Sequence, residues 1–365
     1  MQNQIVQKAV GKLICSKTCT RKGTSQCERH ACCSANIAEL LPAPTQVEHL
    51  DTLHESPTPT KTLHLNPTDF SGGIAVWGAF APAYNTSQAQ DEVGVHVHAR
   101  TKVGGVKSID ATFSSVIMEL PSSDGGVSVF TANGDDAARY NIARIFGIPL
   151  SYMTCPQCLS VHSDHNFGLV HPHQNHECEV CGFHWTTDQP CVGNPMVAFK
   201  KLCGNELLNR PQATLNPNAL ICDQRDFTGG IQIWGTHPAI LWTFLKSEEE
   251  GLHVHTFVKG SRAVDIDETY GVVVLDGIEL NRQHVRYFMA QKSLPFLAGC
   301  IVSLECPTCH APHFDRDGEA VTPHHVHTCE NCGHRFHSPN GEMTVSNPAK
   351  LCFDKLKPIA FSEEG

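Results

Sequence analysis

Eight cysteines of this chain are spaced to hold metal. Cys155-x2-Cys158-x19-Cys178-x2-Cys181 is followed by Cys306-x2-Cys309-x19-Cys329-x2-Cys332. Each CxxC pair can bend around one ion, and four thiolates then close a tetrahedral shell at about 2.3 Å from zinc. Zn2+ is the expected cofactor, with at least two ions per chain, one for each set of four cysteines. Gly182 and Gly333 follow the second pair, where a tight turn favours positive φ. The loops between the pairs carry His162, Asp164, His173 and His176, matched 151 residues later by His313, Asp315, His324 and His327. The thiolates already complete their shell. These further groups are therefore weaker candidates, either for supporting hydrogen bonds or for a second ion.

A different donor set lies upstream. His96-Val97-His98 recurs as His253-Val254-His255. On a strand both histidines of a pair point to one face, and the valine points to the other. Asp110 and Asp267 follow after a turn at VGG or KGS. A hairpin of suitable loop length puts that carboxylate on the histidine face. Two imidazoles and one carboxylate then form an open metal site for hydrolysis or oxygen chemistry. The candidate catalytic residues are His253, His255 and Asp267, with His96, His98 and Asp110. The sequence leaves the register open, and a hydrogen-bonded His–Asp set on a half-exposed sheet fits the same pattern. A third group, Cys15, Cys19, Cys27, His30, Cys32 and Cys33, lies in a short basic segment. It reads either as a further metal site or as a tail of reactive thiols.

The four-cysteine pattern resembles zinc-ribbon modules over roughly 30 residues per set, and that resemblance implies a structural metal rather than an activity. Everything around it is doubled. DFSGGIAVWG (69–78) returns as DFTGGIQIWG (226–235), and GVHVH as GLHVH and IDATF as IDETY at the same offset of 157. CEVCG returns as CENCG, and both stretches close on Asn-Pro and then Lys-Leu-Cys. An internal tandem duplication is the direct reading. The expected fold is α+β and β-rich. Each copy is a small β-sheet module with one helix, followed by a four-cysteine zinc ribbon. The boundaries are a Cys-rich segment and Pro/Thr-rich connector at 1–68, repeat 1 at 69–203, a linker at 204–225, repeat 2 at 226–352 and a tail at 353–365. Ile231–Trp234, Leu252–Phe257, Val264–Asp267 and Val272–Leu275 read as strands. Asn281–Gln291 has helical spacing. In copy one, Asp135 and Asp136 are the expected N-caps of the matching helix. Trp77 and Trp234 read as core.

Composition narrows the function. The 365 residues carry 27 basic and 37 acidic side chains, a net charge of −10, with 18 Cys and 23 His. The acidic balance argues against a general nucleic-acid coat, because duplex affinity comes largely from Lys and Arg on phosphates. No apolar run is long enough to span a bilayer, and the N-terminus lacks the apolar core of a secretory signal, so a cytoplasmic protein is expected. The cysteine spacing favours metal over disulfides in such a chain. No P-loop, dinucleotide fingerprint or serine-hydrolase elbow is present in the sequence. Three functions remain. The first is a zinc-binding, two-module binding or scaffold protein with an unknown protein or small-molecule partner, its repeats packed as a pseudo-dimer. The second is a metal-dependent hydrolase using the HxH…Asp site. The third, nucleic-acid binding through the ribbons, is disfavoured by the charge.

Overall fold

The computed structural model describes residues 62–87, 93–101, 107–121, 126–204, 219–242, 250–258 and 264–357. The Cys15–Cys33 segment, most of the expected linker and the end of the tail lie outside the described residues. The first half runs β1 (Thr62–Leu65), β2 (Gly73–Ala79), β3 (Tyr84–Asn85), β4 (Gly94–Arg100), β5 (Lys107–Phe113), β6 (Ser115–Pro121), β7 (Val127–Asn133) and α1 (Gly134–Ile145). The first cysteine loop follows with β8 (Leu150–Ser151), β9 (His173–Glu177), β10 (His184–Gly193) and α2 (Met196–Gly204). The second half runs β11 (Ala219–Cys222), β12 (Gly230–Gly235), β13 (Leu241–Trp242), β14 (Leu252–Phe257), β15 (Val264–Tyr270), β16 (Val272–Leu275), β17 (Ile278–Leu280) and α3 (Arg282–Lys292). The second cysteine loop carries β18 (Ile301–Val302), β19 (Val326–Thr328), β20 (Arg335–His337), β21 (Val345–Ser346) and α4 (Pro348–Lys355).

The architecture is mixed and sheet-rich, with four α-helices among the described residues. The expectation of one helix per repeat fails: each half has two. Sequence reading took Asn194-Pro195 and Asn347-Pro348 only as landmarks. They are helix starts. Asn194 Oδ1 accepts from the Met196 N–H and Asn347 Oδ1 from the Ala349 N–H, and proline at the first turn needs no donor of its own. A second correction concerns α1. Its N-cap is Asn133, whose Oδ1 accepts from the Asp135 N–H at 2.8 Å. Asp135 and Asp136 instead occupy the first turn, where their charge complements the helix dipole. The helix expected over 281–291 runs Arg282–Lys292, and Asn281 is its N-cap.

Period-two alternation positions the site. On β4, Val95, Val97 and Ala99 are fully buried while His96 and His98 stand half-buried on the other face. β2, β4 and β5 are consecutive antiparallel neighbours, and β12, β14 and β15 repeat that order. A second small sheet in each half adds a parallel strand from upstream: β1 joins β6, and β11 joins β16. Both β1 and β11 lie before residues 69 and 226, where the sequence match begins, and each hydrogen-bonds into the module that follows it. Helices α1 and α3 lie so close on β2 and β12 that a Cβ on Gly78 would strike the main chain of Ala137, and one on Gly235 that of Arg286.

The two halves trade an edge strand. β3 belongs to the first half by chain order yet pairs with β12, Tyr84 opposite Ile233 and Asn85 opposite Gln232. β13 makes the return pairing with β2, Leu241 opposite Val76 and Trp242 opposite Ala75. The indole N–H of Trp77 donates to the His237 carbonyl at 3.1 Å, and that of Trp234 to the Phe80 carbonyl at 3.0 Å. The larger apolar core therefore mixes Phe80, Tyr84 and Phe146 with Ile233, Leu275 and Phe288.

Candidate metal centres

Three kinds of donor cluster occur in each half. The first is the cysteine set. Cys155 Sγ lies 3.6 Å from Cys181 Sγ, and Cys158 Sγ lies 3.5 Å from Cys178 Sγ. The corresponding distances in the second set, Cys306–Cys332 and Cys309–Cys329, are both 3.6 Å. A tetrahedron of sulfurs about 2.3 Å from a central ion has edges of about 3.8 Å, so these spacings suit one ion per set. The knuckles fold as the spacing requires. Gly182 donates its N–H to the Cys178 carbonyl and Gly333 to the Cys329 carbonyl, and both glycines have φ +71. Leu159 and His310 hold positive φ at the matching turn of the first pair.

The sulfurs do not ionise independently. Burial raises the Cys178 thiol, but the Ser160 hydroxyl and the Cys181 and Val180 N–H groups bring it down to about 6. The Asn331 amide beside Cys309 brings that thiol to about 6. Cys181 and Cys332 move the other way, up to about 12. The Phe183 and His334 N–H groups favour their thiolates, but burial and the neighbouring sulfurs outweigh that. Four thiolates this close need a cation before the last proton leaves. Each cluster can therefore hold a metal ion.

The second kind resolves the register the sequence left open. His98 is paired directly with Asp110 across β4 and β5, and His255 with Asp267 across β14 and β15. In the first half His96 Nε2 and His98 Nε2 are 2.9 Å apart, and they lie 3.3 and 2.9 Å from Asp110 Oδ1. In the second, His253 Nε2 and His255 Nε2 are 2.9 Å apart and each lies 3.3 Å from Asp267 Oδ1. Nitrogen and oxygen ligands about 2.0 Å from a tetrahedral ion are about 3.3 Å apart, so the three atoms of each triad, 2.9 to 3.3 Å apart, are close enough to share one ion. Side-chain exposures of 16 to 36% leave the remaining positions open to solvent. Burial alone would raise the Asp110 carboxyl; the two imidazoles reverse this and hold it far below the usual carboxylate range.

The residues that orient these triads were missed by sequence reading. His96 Nδ1 lies 2.9 Å from Thr112 Oγ1, and His253 Nδ1 lies 3.0 Å from Thr269 Oγ1. When each Nδ1–H donates to its threonine, Nε2 turns a lone pair toward the carboxylate. The signal was available, because each threonine follows its aspartate by two residues and so shares its face. Trp77 and Trp234, expected in the core, pack against it but stay half-buried. Each wall stands beside a triad, its ring 4.9 Å from His98 or His255.

The third kind lies inside the cysteine loops. Asp164 gathers His162, His173 and His176, and Asp315 gathers His313, His324 and His327. All eight weaker candidates are thus brought together, in two sets of four. Burial raises the Asp164 and Asp315 carboxyls, but the His162 and His313 contacts and the Gly193 and Ser346 N–H groups lower both below the usual range.

No protein-family model matches the chain, and no curated protein or solved structure matches it. Among the described residues no helix is long and apolar enough to cross a membrane.

Proposed function

We propose that this chain is a zinc metalloprotein, formed by internal tandem duplication, whose two His2Asp triads are open metal centres for hydrolysis. Convergence of three ligand atoms on one half-exposed point, repeated at His96, His98, Asp110 and at His253, His255, Asp267, carries this reading. The cysteine sets are the closed, structural zinc ribbons, because four thiolates leave no position for substrate. The triads differ in having three ligands and access to solvent. A divalent ion held there supplies a water of lowered pKa. The chain's own part is to hold the Nε2 lone pairs of His96 and His253 inward through Thr112 and Thr269, and at Asp110 to keep the carboxylate ionised. The reciprocal pairing of β3 with β12 and β13 with β2 supports a covalently joined pseudo-dimer, since a two-fold pair would exchange the same element in both directions.

A second reading, the binding or scaffold protein, is favoured by one observation. Ile221 is 75% exposed on edge strand β11, and Val127 is 59% exposed on edge strand β7. Apolar side chains exposed on strands that are edges among the described residues suit a protein partner.

The test is a chelator titration of the full chain against His253→Ala, counting metal retained. Wild type should give up weakly held ions at low chelator and keep the thiolate-bound ones; the variant should give up fewer. If both release the same number at the same concentration, His253 is no ligand and the open-centre reading falls. Metal uptake with no cleavage of activated ester or phosphodiester substrates supports the scaffold reading instead.

A further inference from the structure

Beyond the thiolate sites and the open triads, we infer that each cysteine loop encloses a second, buried zinc site, made by His162, Asp164, His173 and His176 in the first half and by His313, Asp315, His324 and His327 in the second.

Burial sets these clusters apart from the open triads. The side chains of Asp315, His327 and His176 are 0% exposed, and those of His162, Asp164 and His313 are 8% or less; His173 and His324, at 30% and 21%, form the outer wall. A buried carboxylate is costly unless it is paired. The Asp164 carboxylate accepts the Gly193 N–H and the Asp315 carboxylate the Ser346 N–H, each at 2.6 Å, which leaves each facing three imidazoles.

The outer hydrogen bonds decide what the imidazoles present to it. His173 Nδ1 lies 2.9 Å from the His171 carbonyl, and His324 Nδ1 lies 2.8 Å from the Thr322 carbonyl. A carbonyl only accepts, so the proton of each ring is on Nδ1. In the neutral ring Nε2 is then a lone pair, and it points at the carboxylate from 3.3 Å in His173 and 3.5 Å in His324. His327 turns Nδ1 toward the carboxylate, and the hydroxyls beside its Nε2 can accept the ring proton. Its Nε2 lies 2.9 Å from Ser338 Oγ and 3.2 Å from Thr344 Oγ1, and its Nδ1 lies 3.4 Å from Asp315. His176 Nδ1 and His324 Nε2 are buried without any hydrogen-bond partner. Lone pairs aimed at a carboxylate repel it, and a cation between them turns the repulsion into binding.

The dimensions and donor types fit zinc. The contacts of 3.3 to 3.6 Å from each carboxylate to His173 and His176, and to His324 and His327, lie close to the edge of about 3.3 Å for a tetrahedral N3O site; His162 and His313 Nε2 stand at 2.7 Å, a hydrogen bond to the carboxylate whose proton the ion would replace. Imidazole and carboxylate donors suit zinc, and four protein ligands leave the ion closed to solvent. Its position is structural. The residues beside the carboxylates' N–H donors, Asn194 and Asn347, cap α2 and α4, so the ion would tie each cysteine loop to the helix that follows.

The experiment counts zinc in the full-length protein after mild chelation, and reads the ligand types by X-ray absorption at the zinc edge. Ions at the open triads leave first. Four zinc ions should remain, with an average shell of two sulfurs and two nitrogen or oxygen atoms, since two all-sulfur sites and two N3O sites are being averaged. Asp315→Asn should lower the count by one and raise the sulfur fraction. Two remaining ions with an all-sulfur shell overturn the proposal, and this holds whether or not the variant folds. Loss of nitrogen-ligated metal already at low chelator, reduced by His253→Ala, reports on the open triads alone, so the two proposals fail separately.

Discussion

Tyr84→Phe should loosen the second half of the chain although Tyr84 lies in the first. The Tyr84 hydroxyl donates to Gln224 Oε1 at 2.7 Å and also lies 3.1 Å from the Leu356 carbonyl. Gln224 is 2% exposed, so its oxygen cannot turn to water when the hydroxyl goes. A buried polar atom left without its partner costs about 1 to 3 kcal/mol. Taking about 2 kcal/mol, the opening equilibrium of the affected elements rises roughly 30-fold. Tyr84→Ala also removes a buried ring stacked on Phe353 at 5.5 Å, and should cost about 3 to 5 kcal/mol. Native-state hydrogen exchange reads where the loss falls. Protection should drop in β12 and at the end of α4, which the exchanged strand β3 and its tyrosine hold. If protection drops only in β2, β4 and α1, or nowhere, the reciprocal strand exchange is wrong.

Gly235→Ala should destabilise by about 1 to 3 kcal/mol, because the added methyl group meets the main chain of α3 at Arg286 rather than a movable side chain; an unchanged denaturation midpoint would contradict that seating. Thr269→Val should weaken metal binding at the second triad by about 10 to 100-fold while leaving the first triad alone, as measured by competition with a chromophoric chelator; equal affinities would remove Thr269 as the group orienting His253. His284 gives a pH prediction. Burial, and then the Arg316 charge, lower its pKa to about 4, so the folded state favours the neutral ring. That contribution is complete above the ordinary value near 6.5 and is lost as pH falls toward 4. His284→Gln should flatten the stability profile across that window, and an unchanged slope counts against it.

The donor chemistry was legible in the sequence because it is local. Two CxxC knuckles need only a few neighbouring residues and a glycine at positive φ, and Gly182 and Gly333 adopt that conformation. The alternation that puts His96 with His98, and buries Val97, follows from the pleat of one strand. The strands at 231–234, 252–257 and 272–275 and the helix at 282–292 were equally local, each set by its own periodicity. The second helices at 196–204 and 348–355 were missed because their Asn-Pro starts also read as turns. Only the tertiary structure decided the rest. Whether Asp110 and Asp267 face the histidines depends on hairpin register, which a shift of one residue would invert. The exchange of β3 and β13 joins residues 147 to 167 apart, and no local preference encodes such a pairing. The gathering of His162, His173 and His176 around Asp164 likewise depends on how the cysteine loop closes, because only burial turns scattered polar residues into one site.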